Sequence, residues 1–457
     1  MSAPAMSLVP VMAPERVPLL GHVRPFRRDP LGLFESLRAY GEVVRIRIGW
    51  QQVYVVTSTE ATVELFTTKS RQFDKGVTVE YFRDVFGYGL LSSEGETHRL
   101  HRLLLQPAFR RERLAGYVAM MRDRVGERIA QWRPGQVLDA REALTAITID
   151  IIAGALISAS VGKELAEEVQ SRLPRVLELS YGRAMNPFPV LNRLPLARNR
   201  EWAEHVARLH PMIDRVIADY RGADHDDATD LLGMMLAARD TDSGATMSDA
   251  EIHDQLLTIL LAGSETTATA LSWLFVLLTQ HPRVAEKLVA ELDRVLAGRP
   301  LEYDDLPRLP YTARVIDEAL RHSPPIWLIT RRALQPVELG GLRVPKGASI
   351  MLSPYLTGHD PKLLANPERF DPDRWAGERM GQTLRRAALP FGAGPRKCIG
   401  DTFATLELTV VLTTILARLR VGVAPGTDFT PETGMTYYPS GLRLRVDPRG
   451  ESDYPGA

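Results

Sequence analysis

Cys398, the one cysteine of this 457-residue chain, lies in a glycine-rich loop. The loop, residues 390–400, reads Pro-Phe-Gly-Ala-Gly-Pro-Arg-Lys-Cys-Ile-Gly, so its backbone can approach a flat ligand closely. A helix predicted to begin just after Gly400 directs its N–H groups at the sulfur, which favours a thiolate, and Arg396 adds a nearby cation. Such a thiolate suits an axial iron ligand. A single cysteine excludes intramolecular disulfides and multi-cysteine metal clusters.

Other roles for Cys398 stay open at this level. A lone cysteine is most often an inert buried residue. A nucleophilic cysteine needs a histidine, and none lies near it in sequence, although one could lie near it in space. A dinucleotide-binding loop is excluded because Lys397 stands where a glycine is required, three residues after Gly394.

A second candidate site lies in the middle of a long predicted helix. The helix starts at a capping box, residues 248–251, and ends before Pro282. Its centre, residues 262–267, reads Ala-Gly-Ser-Glu-Thr-Thr, and a glycine there costs about 1 kcal/mol relative to alanine. Glycine followed by threonine lets the helix loosen and frees the Thr266 hydroxyl from the i−4 carbonyl. Glu265 beside it can relay protons. A polar kink in a core helix is the alternative.

The elements that position these residues are mostly helical in pattern. Further helices are predicted for about 311–322 and from just after 400 to about 419. A β-hairpin is predicted for 43–58 with GWQQ as its turn, a second β region for 329–353 and a third for 441–446. We therefore predict one large, mainly α domain with small β-sheets over residues 16–449. Disordered tails are expected at 1–15 and 450–457.

Charge and hydropathy exclude several classes of protein. Lysine plus arginine and aspartate plus glutamate both total 56, so the chain lacks the basic excess of a general nucleic-acid binder. No segment resembles a signal peptide or a membrane anchor. The most apolar stretch, 256–278, is interrupted by Gly263 and Glu265 and is interpreted as a buried helix. A cytoplasmic protein is expected.

The cysteine loop resembles a known motif. Phe391-x-x-Gly394-x-Arg396-x-Cys398-x-Gly400 is similar to the haem-binding loop of the cytochrome P450 superfamily, and the resemblance extends over about residues 17–446. It implies a triangular, mostly helical fold that holds haem b, with Cys398 as the iron ligand and Phe391 and Arg396 in the cofactor-binding loop.

Further motifs resemble this superfamily. Glu265 and Thr266 match its oxygen-activation motif. His98 and Arg102, at i and i+4, match residues that hold a haem propionate, although tryptophan is frequent at the first position. Arg331 matches another propionate-binding arginine, with Arg332 as the alternative.

Two other features complete this set of expectations. Glu318 and Arg321 resemble a structural Glu-x-x-Arg motif. The resemblance implies that Arg369 interacts with this pair. His98 and His101 could instead form a metal pair, but no third ligand stands out.

The resemblance implies a monooxygenase that inserts one oxygen atom from O₂ into a C–H bond. Because the chain ends at residue 457, no fused reductase is expected, and electrons would come from NAD(P)H through a ferredoxin reductase and a ferredoxin. Arg396, Lys397 and the arginines at 110, 111 and 113 are candidates for docking that partner.

The expected substrate is apolar, and several side chains are expected around it: Phe82, Phe86, Phe188, Ile326, Trp327, Leu328 and Met435. Some stretches resemble actinobacterial members that oxidise sesquiterpenes and related terpenoids in secondary metabolism. A fatty acid or a polyketide is the alternative substrate. A haem-thiolate isomerase, a peroxide-using relative and a non-catalytic haem-thiolate sensor are the alternative functions.

Overall fold

Helices dominate the computed structural model, which describes residues 10–14, 20–157, 161–186, 189–222, 230–241 and 243–450. The helices within these ranges are α1 Val23–Arg28, α2 Pro30–Leu37, α3 Thr59–Phe66, α4 Val77–Phe86, α5 Gly95–Leu105, α6 Arg111–Ile129, α7 Ala140–Leu156, α8 Val161–Ala184, α9 Ala197–Gly222, α10 Leu231–Ala237, α11 Asp249–Gln280, α12 Pro282–Leu296, α13 Pro310–His322, α14 Pro354–Gly358, α15 Glu378–Ala388 and α16 Asp401–Arg418. The predicted mainly α class is confirmed.

The strands are short and form small sheets to which distant parts of the chain contribute. They are β1 Val43–Ile48, β2 Gln51–Val56, β3 Phe73–Asp74, β4 Gln136–Asp139, β5 Ile329–Ala333, β6 Val337–Leu339, β7 Leu342–Val344, β8 Ser349–Leu352, β9 Leu419–Val423, β10 Thr430–Thr433, β11 Tyr437–Ser440 and β12 Arg443–Pro448. One sheet has the order β1-β2-β8-β5-β3 and another has the order β4-β12-β9, while β6-β7 and β10-β11 are two-stranded. The three predicted β regions are therefore confirmed.

The hairpin of β1 and β2 shows how local sequence sets register. Val43 pairs with Val56 and Ile48 with Gln51, which leaves Gly49 and Trp50 as a two-residue turn. Gly49 has a φ of 63°, a conformation that glycine adopts without strain. The predicted turn, GWQQ, was too long because both glutamines belong to β2.

The central element is α11, whose N-terminus carries both hydrogen bonds of the predicted capping box between Ser248 and Glu251. It is long and apolar enough to cross a membrane, yet 78% of its most apolar window is buried inside the protein. It packs against α7, α9, α13 and α16 within the largest apolar core of the described residues. The interpretation of 256–278 as a buried core helix is confirmed.

The N-terminal residues 10–14 pair with β1. Ala13 N–H donates to the Arg45 carbonyl at 2.9 Å, Arg45 N–H donates to Val11, and Ala13 is buried. A disordered tail was expected for 1–15, but these five residues are ordered. The reason is that β1 is an edge strand whose free N–H and C=O groups form hydrogen bonds with them. The remaining residues of both expected tails lie outside the described residues, except residue 450.

Candidate active site

The cysteine loop is fixed by its own backbone and by contact with α3. The Cys398 N–H donates to the Phe391 carbonyl at 2.9 Å, and the Lys397 N–H donates to Gly394 at 3.1 Å. Gly394 has a φ of 69°, and a Cβ there would lie 2.0 Å from the Phe66 carbonyl oxygen at the end of α3. Only glycine allows this approach, so the sequence Gly-x-Arg-x-Cys sets the position of the sulfur.

The Cys398 side chain reaches solvent although protein atoms crowd around its sulfur, and these surroundings act on its charge in opposite directions. Burial raises the pKa of the Cys398 thiol, while the Gly400 backbone N–H and the cations of Arg102 and Lys397 lower it. Arg396 is not among these cations, and its predicted support of the thiolate stays a prediction. The position of Gly400 just before α16 is as predicted.

Arg396 points instead towards the segment between α3 and α5. Its guanidinium donates to the Ser70 and Phe73 carbonyls at 2.9 and 2.8 Å and to the Glu94 carboxylate at 2.9 Å. This places Arg396 in a buried basic cluster, defined here as Lys75, His98, Arg331 and Arg396. The cysteine loop thus contributes to two sites, the sulfur and this cluster.

The basic cluster concentrates positive charge with little compensation. Burial is the largest cause that lowers the pKa of Lys75 to about 7, of His98 to about 3 and of Arg331 to about 10. Neighbouring cations lower these pKa values further, whereas Glu94 opposes the shift of Lys75 and Arg331. Glu94 is the carboxylate that pairs with Arg396 within this group. A buried group of this kind is suited to a ligand that brings negative charge, such as the two propionates of haem.

The choice between Arg331 and Arg332 follows from their partners. The Arg332 guanidinium donates to Asp74 at 2.6 Å and lies 3.0 Å from Glu80. Arg331 is 9% exposed, and its guanidinium lies over the Phe66 ring and donates to the Thr330 carbonyl. Among the described residues, Arg332 therefore has two carboxylate partners, whereas no carboxylate lies within ion-pair distance of Arg331.

The helix α5 supplies three candidates that take different roles. Arg102 donates to the Lys397 carbonyl at 2.7 Å, beside the sulfur, whereas His98 belongs to the basic cluster. His101 is buried and is hydrogen-bonded to Glu251 at 3.1 Å and to Gln255 at 2.9 Å, so it joins α5 to α11. No group of three or more metal-ligating side chains occurs in the described parts of the chain.

An uncovered stripe interrupts the buried surface of α11. Ala262 is exposed, and Ile259, Gly263 and Thr266 are half-buried, in a helix whose other central residues are almost all buried. These positions are i, i+3, i+4 and i+7, so they share one face. We call this face the open stripe; its residues, Thr266 among them, are accessible on the surface of α11.

The predicted loosening of α11 is not observed. The Thr266 hydroxyl donates to the Ala262 carbonyl at 2.7 Å, and the helix is continuous from Asp249 to Gln280. Gly263 has another physical reason to be glycine, since a Cβ there would lie 3.3 Å from Ile152 Cδ1 on α7. The close packing of α7 on α11 therefore offsets the helix cost of this residue.

Glu265 is buried and held by residues that the sequence did not indicate. Its Oε1 accepts from the Arg141 guanidinium at 2.8 Å and from the Thr436 hydroxyl at 3.4 Å, while its buried Oε2 has no hydrogen-bond partner. Burial raises the pKa of Glu265, and Arg141 opposes this effect. Arg141 also lies over the Tyr438 ring and lines a cavity of about 560 Å³ with Asp139, Glu142, Thr145, Gln170, Ser171 and Pro174. Glu265 is thus linked through Arg141 to this cavity.

The Glu-x-x-Arg motif forms a buried ion pair, but its third member differs from the prediction. Arg321 donates to Glu318 at 2.8 and 2.9 Å, and both side chains are fully buried. Arg374, not Arg369, completes the cluster by donating to Glu318 at 2.9 Å, and Trp375 Nε1 donates at 2.8 Å. The Arg369 side chain is 70% exposed, and only its carbonyl takes part.

The residues expected around the substrate divide into two groups. Ile326 and Leu328 are half-buried, as is Met435, whereas Trp327 between the first two is 1% exposed. Trp327 packs against Phe26 and Phe34 and donates to the Gly434 carbonyl at 2.9 Å. Trp327 is therefore a core residue and not the expected pocket wall, because consecutive residues of an extended segment point to opposite sides.

The aromatic residues of α4 are also buried. Phe82 and Phe86 contact each other edge to face, with ring centroids 5.9 Å apart, within the main core. Phe188 lies outside the described residues.

Comparison with known proteins agrees with this geometry. The family model "Cytochrome P450" matches residues 12–442. Cyclooctatin synthase of Streptomyces melanosporofaciens is 42% identical over 96% of this chain and 95% of that protein. Pentalenene oxygenase of Streptomyces avermitilis is 40% identical over 96% and 97% of the two chains.

A solved structure is similar over the same length. The haem domain described as cytochrome P450DA has a TM-score of 0.86 at 28% identity and covers 97% of this chain and 98% of that one. A glycine-positioned cysteine and a buried basic cluster fit a haem bound through a thiolate, since such a haem needs a sulfur ligand and its propionates carry negative charge. The chain belongs to the cytochrome P450 family and is a monooxygenase that binds haem b through a cysteine thiolate.

Proposed function

We propose that the protein inserts one oxygen atom into a C–H bond of a terpenoid hydrocarbon or a lightly oxidised terpenoid, of about sesquiterpene size. The observation that carries this proposal is the open stripe, which presents Ile259, Ala262 and Gly263 beside a single hydroxyl, that of Thr266, and no charge. A hydrocarbon offers no hydrogen bonds, so its affinity must come from buried area, at about 25 cal/mol per Å².

The relatives support the same substrate class. Besides cyclooctatin synthase and pentalenene oxygenase, cyclooctat-9-en-7-ol 5-monooxygenase of Streptomyces melanosporofaciens is 39% identical over 96% of this chain and 95% of that protein. All three are similar over nearly their whole length, which includes the residues that shape the substrate space.

In this proposal, the residues of the cysteine loop and the basic cluster hold the cofactor. The Cys398 thiolate would hold the iron, and Arg102 and Lys397 beside it would favour the charged form of the sulfur. His98, Arg331 and Arg396 bind the propionates, which supply the negative charge that the cluster lacks. Bound haem supplies the chemistry of O₂ activation and C–H oxidation.

The reaction consumes protons, and Thr266 and Glu265 are the residues that bind and deliver them. The Thr266 hydroxyl, whose own hydrogen is held by the Ala262 carbonyl, keeps its lone pairs on the open stripe and can accept a hydrogen bond there. Glu265 has an unpartnered oxygen, Oε2, and burial raises its pKa, so it holds a proton more readily than an exposed glutamate does. Arg141 keeps the carboxylate form accessible, so that Glu265 can release that proton.

Electrons come, in this proposal, from a ferredoxin and its NAD(P)H-dependent reductase in the cytoplasm. Lys397, next to the iron ligand, is exposed, as are Arg110 and Arg113, so these three offer a basic docking surface. Arg396 does not belong to this surface, because its side chain is 17% exposed and bonded to Glu94. The Arg111 side chain lies outside what the structure describes.

A titration of the ferric, haem-loaded protein tests the substrate class. Binding of a substrate next to the haem would shift the ferric iron from low spin to high spin, which is read by absorbance. We expect this shift with terpenoids, including pentalenene and cyclooctat-9-en-7-ol, and not with fatty acids or macrolides. A shift with fatty acids or macrolides and none with terpenoids would refute the substrate class and leave the monooxygenase assignment intact.

A further inference from the structure

A carboxylate at the start of α5 reaches into the basic cluster. Glu94 Oε2 accepts from the Arg396 guanidinium at 2.9 Å, and Glu94 Oε1 accepts from the Lys75 backbone N–H at 2.5 Å. Glu94 is the N-cap residue of α5, a position from which a side chain commonly accepts an N–H of its own helix. The Glu94 side chain makes no such bond to α5. It therefore serves the cluster and not the helix.

Backbone carbonyl groups would keep Arg396 and Lys75 in place without this carboxylate. Each of the two cations donates to two such groups. The acceptors are Ser70 and Phe73 for Arg396, at 2.9 and 2.8 Å, and Leu90 and Ser93 for the Lys75 ammonium, at 2.8 and 2.7 Å. Since these carbonyls are uncharged, the distinct contribution of Glu94 is its negative charge.

The charges of this group leave an excess that two propionates would balance. Lys75, Arg331 and Arg396 contribute three positive charges when Lys75 is protonated, and Glu94 contributes one negative charge. His98 is neutral, because burial is the largest cause that lowers its pKa to about 3. The sum is +2, equal and opposite to the charge of two carboxylates.

The other charged side chains near the cluster have partners of their own. Asp74 pairs with Arg332 at 2.6 Å, so its charge is offset locally. Arg83 and Arg102 donate to backbone carbonyl groups outside the cluster. Glu94 is thus the acid whose charge acts on the cluster most directly.

We infer that Glu94 limits how strongly the cluster attracts the haem propionates and how readily the iron accepts an electron. Its negative charge offsets one of the three cations, which weakens the attraction to the propionates and favours the more positive, ferric iron. Glu94 acts through Arg396 and Lys75 and is therefore a positioning residue. The inference rests on the propionate assignment of the proposed function and does not depend on the substrate.

Glu94→Gln removes the charge and keeps an oxygen that can accept from the Lys75 N–H. We expect the haem-loaded variant to lose haem to excess apomyoglobin about tenfold more slowly than the wild type, since one charge at a partly buried site changes binding by that order. Its reduction potential, measured by titration with dithionite, should be higher. The thermal midpoint of its apoprotein should be lower, because one more cation is left without compensation.

Two further variants serve as controls. Glu94→Asp keeps the charge and should keep the reduction potential of the wild type. Glu96→Gln removes an acid two residues along, whose side chain is 84% exposed and pairs with Arg99, and it should resemble the wild type in all three measurements. Faster haem loss with an unchanged potential in Glu94→Gln would show a purely structural role and overturn the inference. Equal shifts in Glu94→Gln and Glu96→Gln would overturn it as well.

A change of opposite sign is available if Glu94→Gln does not fold. Lys75→Gln removes a cation and keeps N–H groups for the carbonyls that bind it. It should lose haem about tenfold faster and lower the reduction potential, for the same electrostatic reason. Haem loss and a potential equal to those of the wild type would contradict the inference.

Arg331→Leu separates this inference from the propionate assignment, because it should lose haem faster whether or not Glu94 has the inferred role. Haem loss at the wild-type rate in Arg331→Leu would refute the propionate assignment and the inference with it. Faster loss in Arg331→Leu, without slower loss in Glu94→Gln, would refute the inference alone.

Discussion

Thr266 places a hydroxyl on the open stripe, where it is the only hydroxyl among the four residues of that stripe. Substitution by alanine removes this group without enlarging the core, because the side chain is only half-buried. We therefore expect Thr266→Ala to bind haem and substrate normally but to consume NADPH with little product, the reduced oxygen leaving as hydrogen peroxide. Simultaneous assay of NADPH, peroxide and product measures this.

Thr279→Ala is the matched control for Thr266→Ala. Its hydroxyl makes the same i−4 bond, to Phe275 at 2.7 Å, at the far end of α11. It should couple NADPH to product as the wild type does. Full coupling in Thr266→Ala would show that another group performs the role assigned to Thr266.

The pair of Glu265 and Arg141 predicts a pH effect. Burial raises the pKa of Glu265 and Arg141 lowers it, so removal of the cation raises this pKa further. Proton donation fails as pH rises through the pKa of the donor. In Arg141→Gln the alkaline limit of turnover should therefore move to higher pH, while Arg141→Lys should stay near the wild type.

Glu265→Gln supplies the complementary measurement. It should slow turnover by about 10²-fold or more and lose the alkaline limit altogether, because the amide cannot donate and recover the proton. Steady-state turnover from about pH 6 to about pH 9 measures all four proteins. An unchanged pH profile in Arg141→Gln would contradict the link between Arg141 and Glu265.

At the scale of elements, the Glu318 cluster joins α13 to the segment before α15. Arg374→Ala removes a charged hydrogen bond to a buried carboxylate and should lower the free energy of unfolding by about 1.5–3 kcal/mol. Arg369→Ala, whose side chain is 70% exposed, should change it by less than about 0.5 kcal/mol. Urea unfolding of both variants compares them, and an equal loss in the two would restore the role first predicted for Arg369.

The segment 326–328 offers a second contrast between a core residue and a half-buried one. Trp327→Ala should lower the free energy of unfolding by about 3–5 kcal/mol, as expected for a large buried aromatic side chain. Ile326→Ala should be better tolerated and should instead broaden the set of carbons that are oxidised. Urea unfolding and product analysis by mass spectrometry separate these effects. If Trp327→Ala oxidised a broader set of carbons and kept its stability, Trp327 would line the substrate pocket after all.

Local patterns predicted the elements well, because capping residues, prolines and β-branched alternation act within a few residues. The capping box at Ser248, the end of α11 before Pro282 and the hairpin of β1 and β2 all follow from such signals. Contacts between residues of distant segments do not follow from such local signals. Arg141 and Glu265 are 124 residues apart, and nothing in either segment indicates their contact.

The wrong assignment of Arg369 has a physical cause. Arg369 lies in a motif whose residue types are informative, but the direction of a long side chain depends on partners brought by the fold. At the Glu318 site the side chain that donates is Arg374, while that of Arg369 is exposed.

For the whole molecule, the net charge is zero, but positive and negative charges are unevenly distributed. Positive charge collects in the basic cluster, which is buried, and its desolvation costs free energy in the protein alone. An acidic cofactor offsets this cost, so haem binding should stabilise the fold. We expect the thermal midpoint of the protein to rise when haem is added to apoprotein, and to rise less in Arg331→Leu. An equal rise in both proteins would argue against the propionate role.

Cys398 should be the protein ligand of the haem iron, and the carbonyl complex of the reduced protein provides a direct test. A thiolate ligand moves the Soret band of that complex far to the red, whereas a histidine ligand does not. We predict that the wild type shows the far-red band and that Cys398→His binds haem but lacks both this band and monooxygenase activity. The same far-red spectrum in Cys398→His would contradict the account.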